Sequence, residues 1–125
     1  MLVVEDDPGV RSFTINALRE LGYEAIEADA VGIARQKLSE NPRITILLTD
    51  VVLPSGNGRE LARELVKERP DLAILYMTGY TRNAIVHNGT LDPGVRLLSK
   101  PFTVEELGRE LYAILEDRGA SRALG

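Results

Sequence analysis

The feature that most constrains the fold of this chain is an apolar run that ends on a single carboxylate. Residues 44–49 are mostly apolar and lead directly to Asp50, and Pro54, Gly56 and Gly58 follow soon afterwards. A short apolar run bounded by proline and glycine predicts a strand that is buried on both faces, as strands of a parallel sheet are. Asp50 is therefore expected at the carboxyl end of a buried strand, where open α/β sheets bind their ligands.

Four other segments have the composition and length of short strands. They lie at residues 2–4, 23–28, 72–77 and 95–98, and segments with apolar residues at helical spacing separate them. Asp7 and Asp29 are predicted to cap the first two helices, with Pro8 at the first helical position, and the other helices begin near Arg59 and at a capping box of Thr103 and Glu106. The first and third helices end at Gly22 and Glu68. This alternation predicts an α/β fold with a doubly wound, five-stranded parallel sheet and helices on both faces.

The stretch from Thr81 to Gly94 is the least regular part of the pattern. Asn88-Gly89 and Asp92-Pro93-Gly94 are turn signals, so the fourth helix is predicted to be short or irregular. We expect residues 1–117 to form the domain and residues 118–125 to be a flexible C-terminal tail.

Composition narrows the classes of function. A chain of 125 residues fits one domain, and a net charge of −4 argues against nucleic-acid binding. The absence of cysteine excludes disulfides and thiolate metal sites. The apolar start at residues 2–4 is too short for a signal peptide or a membrane span, so we expect a cytoplasmic domain without membrane contact.

Charged and hydroxyl side chains follow four of the predicted strands. Glu5 and Asp6 follow the first, Asp50 the third, Thr78 the fourth and Lys100 the fifth. The carboxyl ends of parallel strands share one edge of a sheet, so these side chains are expected to converge. Crowded carboxylates repel one another, and Mg²⁺ with oxygen ligands relieves that repulsion. A carboxylate beside a cation, a hydroxyl and an ammonium suits phosphoryl transfer, with Asp50 attacking phosphorus.

Four segments together resemble the receiver domain of two-component response regulators. They are LVVEDDP at residues 2–8, TDVVLP at 49–54, MTGY at 77–80 and SKPF at 99–102, and the resemblance covers essentially the whole chain. It implies the flavodoxin-like strand order 2-1-3-4-5. It also implies a domain that takes a phosphoryl group from a phosphohistidine and catalyses its own phosphorylation and dephosphorylation. The implied partner is a histidine kinase or a histidine phosphotransfer domain.

The resemblance implies a role for each site residue. Asp50 would be the phosphoacceptor, Thr78 would bind the phosphoryl group, and Lys100, which precedes a cis Pro101, would pair with it. The implied Mg²⁺ ligands are Asp6 directly, Glu5 largely through water, Asp50, and the main-chain carbonyl of Val52. One departure is Leu97, since the family commonly has an aromatic switch residue at this position.

The residues that make up the motifs, and the start of the first strand next to Met1, favour a domain from a hybrid sensor histidine kinase. A stand-alone single-domain regulator is the alternative. A small phosphatase with an aspartate nucleophile is less favoured, because Val52 occupies the place where such enzymes need a second carboxylate. A flavin-binding module is disfavoured because residues 5–7 are acidic and would repel its phosphate. The last alternative is an interaction scaffold with an inactive site.

Overall fold

Five parallel strands form the central sheet. The computed structural model of this chain describes residues 1–79 and 95–124, except for the side chains of Val95 and of 117–124. The strands are β1 (Leu2–Val4), β2 (Ile26–Ala28), β3 (Ile46–Asp50), β4 (Ala73–Thr78) and β5 (Val95–Ser99). Their order is β2-β1-β3-β4-β5, so the predicted order 2-1-3-4-5 is confirmed. The register pairs Asp50 with Met77 and Thr78 with Ser99, which brings the carboxyl ends of β3, β4 and β5 to one edge.

Helices cover both faces of the sheet. They are α1 (Pro8–Glu20), α2 (Val31–Glu40), α3 (Gly58–Glu68) and α4 (Val104–Leu124), and a small hairpin of Val52–Leu53 and Gly56–Asn57 joins β3 to α3. The predicted irregular helix between Thr81 and Gly94 lies outside the described residues. None of the helices in the described ranges is both long and apolar enough to cross a bilayer.

The core consists of two apolar layers, one on each face of the sheet. Along β3, Leu47 packs into one layer and Leu48 into the other, because successive side chains of a strand point to opposite faces. The Leu47 layer contains the buried residues of α2 and α3, and the Leu48 layer contains those of α1 and α4. Burial on both faces explains why β3 is apolar throughout its length up to Thr49 and Asp50.

Local signals correctly placed several helix ends. The Asp7 carboxylate accepts hydrogen bonds from the N–H groups of Gly9 and Val10, with Pro8 in the first turn as predicted. At the other end of α1, Gly22 has φ of 92°, and the N–H of Tyr23 is bonded to the Leu18 carbonyl. Residues 23–25, the first part of the predicted second strand, follow this turn without forming strand structure, so β2 begins at residue 26 rather than 23.

The capping box that begins α4 is confirmed. Thr103 Oγ1 accepts from the N–H of Glu106, and the Glu106 carboxylate accepts from the N–H of Thr103. The helix itself runs on to Leu124, and the flexibility expected for residues 118–125 stays a prediction. No proline interrupts residues 117–124, and Gly119 weakens a helix by about 1 kcal/mol without ending it. The boundary of the domain at residue 117 stays a prediction.

The start of α2 differs from its prediction. The cap residue is Ala30, and no side chain adjacent in sequence bonds to the first turn, so the prediction of Asp29 as the cap is wrong. The N–H of Val31 instead donates to Ser55 Oγ at 3.0 Å. The helix therefore takes its capping bond from the loop that follows β3. Asn57, in that same loop, caps α3, which begins at Gly58.

Arg69 ties the end of α3 to the end of α2. Its guanidinium donates to the carbonyls of Asn41 at 3.0 Å and Ile44 at 3.3 Å, and also to that of Leu38. Carbonyls at the end of a helix have no partner within the helix, so a partly buried cation there satisfies several acceptors at once.

Replacing Arg69 with methionine should therefore destabilise the fold. Arg69→Met removes three hydrogen bonds to partly buried carbonyls, of which those of Leu38 and Asn41 keep a main-chain donor, and we expect the free energy of unfolding in urea to fall by about 1–3 kcal/mol. Lys67→Met, which alters an exposed residue of the same helix turn, is the control and should change stability by less than about 0.5 kcal/mol. Equal effects of the two substitutions would contradict the structural role of Arg69.

Candidate functional site

Buried polar side chains gather at the carboxyl edge of the sheet. Glu5, Asp50 and Thr78 are 1%, 5% and 3% exposed, and they follow or end β1, β3 and β4 respectively. Burying a carboxylate is unfavourable unless it is paired or binds a cation. Their position therefore marks this edge as the place where the fold holds unfavourable charge.

One ammonium group joins two of these carboxylates. Lys100 Nζ donates to Glu5 Oε1 at 2.7 Å and also forms an ion pair with Asp50 Oδ1. The N–H of Lys100 is bonded to the Thr78 carbonyl at 2.7 Å, and the peptide bond between Lys100 and Pro101 is cis, as the resemblance implies. Lys100 thus connects the ends of β1, β3, β4 and β5.

Glu5, Asp6 and Asp50 form an acidic cluster. One carboxylate oxygen from each lies within 4.8 Å of the other two, and Asp6 is exposed while the other two are buried. Among the described residues, Glu5 Oε2 is a buried oxygen without a hydrogen-bond partner. Lys100 pairs with Glu5 and Asp50 only, so the three carboxylates of the cluster keep an excess of negative charge. These residues fit a hard divalent cation with oxygen ligands.

A small cavity opens beside the cluster. Its volume is about 100 Å³, and the described residues that line it are Asp6, Asp50, Val51, Val52, Met77, Thr78, Gly79 and Lys100. Sites for whole small molecules and cofactors are about 300–1,000 Å³ in size. As far as these residues bound it, the cavity suits a hydrated cation and a small anionic group better than a flavin.

The structure brings the predicted site residues together. Asp6, Asp50, Val52, Thr78 and Lys100 line the cavity, and Glu5 reaches it through the ammonium of Lys100. Val52 is 57% exposed and its side chain has no atom that could bind a cation, so its contribution to a metal would have to come from the main-chain carbonyl. The individual roles of these residues stay predictions. Leu97 lies half-buried on β5, paired with Tyr76 in the sheet.

Gly58 is a residue whose importance the sequence analysis missed. A Cβ atom placed on Gly58 would lie 1.8 Å from the Asp50 carbonyl oxygen and 3.1 Å from Thr49 Oγ1. The N–H of Gly58 also donates to the Val51 carbonyl at 2.8 Å. The start of α3 can therefore approach the end of β3 this closely because residue 58 has no side chain. A glycine shortly after a strand-ending aspartate was a signal, but its meaning depends on this non-local contact.

The electrostatic environment of Asp50 contains opposing effects. Burial raises the pKa of the Asp50 carboxyl above its usual value, and the hydrogen bond and positive charge of Lys100 partly oppose that rise. The net shift is upward because the loss of hydration outweighs the ion pair. Without a further cation, the protein therefore holds this carboxylate at a cost in stability.

The fold and the cleft are those of a flavodoxin-like α/β protein with an acidic ligand site at the carboxyl edge of its sheet. A family model described as the response regulator receiver domain matches residues 1–112. The chain belongs to the response regulator receiver domain family, and the predicted family is thereby confirmed.

Two curated proteins of Brucella abortus (strain 2308) are similar to this chain. The response regulator receiver protein CpdR is 36% identical over 115 residues, which cover 92% of this chain and 95% of CpdR. The sensor kinase CckA is 34% identical over 118 residues, which cover 93% of this chain and 12% of CckA. A solved receiver domain from the hybrid histidine kinase CckA has a TM-score of 0.77 at 29% identity, covering 91% of this chain and 96% of that one.

The close approach at Gly58 gives a paired prediction. Gly58→Ala forces the start of α3 away from the Asp50 carbonyl, and we expect a loss of about 1–3 kcal/mol in the free energy of unfolding. Gly32→Ala is the matched control, because Gly32 lies inside α2 with open space around it. That substitution should stabilise the fold by up to about 1 kcal/mol. Urea denaturation measures both, and changes of the same sign would contradict the packing described.

Asp50 should also make stability depend on pH. Because its pKa is raised, the native state binds this proton more tightly than the unfolded chain does. This contribution favours folding at acid pH and is lost as the pH rises through the folded-state pKa. The test compares Asp50→Asn with the wild type in the presence of a metal chelator. The free energy of unfolding of the variant minus that of the wild type should increase as the pH rises from about 4. A constant or falling difference would contradict the raised pKa.

Proposed function

We propose that this domain accepts a phosphoryl group from a phosphohistidine on the carboxylate of Asp50, with Mg²⁺ bound in the acidic cluster. The observation that supports this best is the cluster of Glu5, Asp6 and Asp50 beside a cavity of about 100 Å³, in which Lys100 pairs with Glu5 and Asp50. The membership in the receiver family supports the same reaction.

In the proposed step, an oxygen of Asp50 attacks phosphorus as a carboxylate. The new bond joins this oxygen to phosphorus, and the bond between phosphorus and the imidazole nitrogen of the donor breaks. The nitrogen leaves with the electron pair of that bond and recovers its proton from solvent. The product is an acyl phosphate on Asp50 and an unphosphorylated histidine on the donor. Lys100 already contacts Asp50, so it is close enough to neutralise charge on the incoming phosphoryl oxygens.

The cation would be held by the carboxylates of Asp6 and Asp50 and by the Val52 carbonyl, with Glu5 acting largely through water. When bound, Mg²⁺ supplies positive charge that offsets both the crowded carboxylates and the phosphoryl oxygens. The buried, unpartnered Glu5 Oε2 supports an ordered water at that position. Thr78 lines the cavity and would donate its hydroxyl to a phosphoryl oxygen.

The proposed partner is a histidine kinase or a histidine phosphotransfer domain, and we propose that the domain acts in the cytoplasm without nucleic acid. For the parent protein we propose a hybrid sensor histidine kinase. The similarity to the sensor kinase CckA supports this, since the match covers 12% of CckA, as expected for one domain of a long kinase. The match to nearly all of CpdR equally supports the alternative, a single-domain regulator. Reading the coding sequence on both sides of this segment decides between them, since kinase domains in the same reading frame are expected only for the hybrid.

Phosphorylation tests the proposal directly. Incubated with Mg²⁺ and a small phosphodonor such as acetyl phosphate, the domain should gain the mass of one phosphoryl group, as an adduct that is labile in base. Asp50→Asn should abolish this gain, because the amide is nearly isosteric but cannot act as the nucleophile. Asp29→Asn, which alters an exposed acid after β2 at the same edge, is the control and should be labelled normally. Normal labelling of Asp50→Asn would refute the assignment, and an unlabelled wild type would refute the function.

A further inference from the structure

Arg11, in the first turn of α1, contacts the loop that carries two of the clustered carboxylates. Its Nη1 donates to the main-chain carbonyl of Glu5 at 2.9 Å and to that of Asp6 at 3.4 Å. Its Nε lies 3.7 Å from the Glu27 carboxylate on β2. The Arg11 side chain is 19% exposed, against 59% for Glu27, and its bond to the Glu5 carbonyl is partly buried whereas its bond to the Asp6 carbonyl is exposed.

These two carbonyls define the backbone around Asp6. The Glu5 carbonyl belongs to the peptide plane that precedes Asp6, and the Asp6 carbonyl belongs to the plane that follows it. Peptide units are planar, so holding both planes fixes the φ and ψ angles of Asp6 and hence the direction of its Cβ. The described backbone hydrogen bonds include none to the Glu5 carbonyl, whereas the N–H of Glu5 is bonded to Ala28.

We propose that Arg11 is a positioning residue for the divalent-cation site. By holding the peptide planes on either side of Asp6, it keeps the exposed Asp6 carboxylate close to those of Glu5 and Asp50. This inference rests on the proposed function, because it requires a cation bound between these carboxylates.

Three roles for Arg11 predict different effects on Mg²⁺ binding. A positive charge near the site repels a divalent cation, so if charge were its main influence, removing the guanidinium would tighten binding. If Arg11 only stabilised α1 and β2, its removal would lower the melting temperature and leave the dissociation constant for Mg²⁺ unchanged. Positioning of Asp6 predicts the third result, which is weaker binding by a protein that remains folded.

The test measures Mg²⁺ binding by isothermal titration calorimetry on the full chain. Arg11→Met removes the donors and the charge at similar length, and it should raise the dissociation constant roughly tenfold, as loss of a residue that orients a metal ligand does. Arg11→Lys keeps one donor group and the charge, so it should recover part of the affinity. Arg35→Met removes an exposed arginine that pairs with Glu64 between α2 and α3, and it should leave the constant unchanged.

Two further measurements separate the outcomes. Thermal melts in chelator identify the temperature at which each variant is folded, and the NMR amide signals of residues 5–7 should shift in metal-free Arg11→Met. Unchanged or tighter binding by folded Arg11→Met would overturn the inference. If that variant does not fold, wild-type affinity in Arg11→Lys would overturn it, since a lysine cannot reproduce the planar donor group. A separate result would refute the proposed function. It is a wild type that shows no Mg²⁺ binding, or only binding that Asp6→Ala leaves in place.

Discussion

Repulsion between carboxylates is the constraint on which the rest of this structure depends. β1 and β3 are neighbours in the sheet, so their ends necessarily place Glu5, Asp6 and Asp50 side by side. The ammonium of Lys100, which directly follows β5, forms ion pairs with two of them, Glu5 and Asp50. One positive charge leaves the cluster negative, and burial raises the pKa of Asp50 despite the opposing effect of Lys100. A ligand that binds only the native state stabilises it, so a cation bound to this cluster would raise the free energy of unfolding.

Much of this fold follows from short-range patterns. Strand positions other than the start of β2, the cap at Asp7 and the capping box at Thr103 depend on residues within a few positions of each other, and each was predicted correctly. The convergence of the site could also be predicted, because a parallel sheet places its carboxyl ends together whatever the sequence separation. The receiver family was predicted from four motifs considered jointly, since each alone has an ordinary structural explanation.

Other features depend on contacts between distant segments and could not be predicted from the sequence. The start of α2 is capped by Ser55 rather than Asp29, because the loop after β3 lies over that helix end. Arg69 bonds to carbonyls more than twenty residues away, and Gly58 is constrained by the main chain of Asp50. In each case the residue type is common and its partner is set by tertiary packing. Such contacts are visible only once the elements have been assembled.

The bond between Val31 and Ser55 gives the molecule an internal reporter. Val31 is the first residue of α2, and its N–H is bonded to a loop that begins directly after Asp50. A Cβ atom on Gly56 in this loop would lie 3.2 Å from the Val31 side chain, so the two segments are in close contact. A displacement of the loop that moves Ser55 away breaks the hydrogen bond of the Val31 amide. The rate of hydrogen–deuterium exchange at this single amide therefore records the conformation of the loop, without a label near the aspartate.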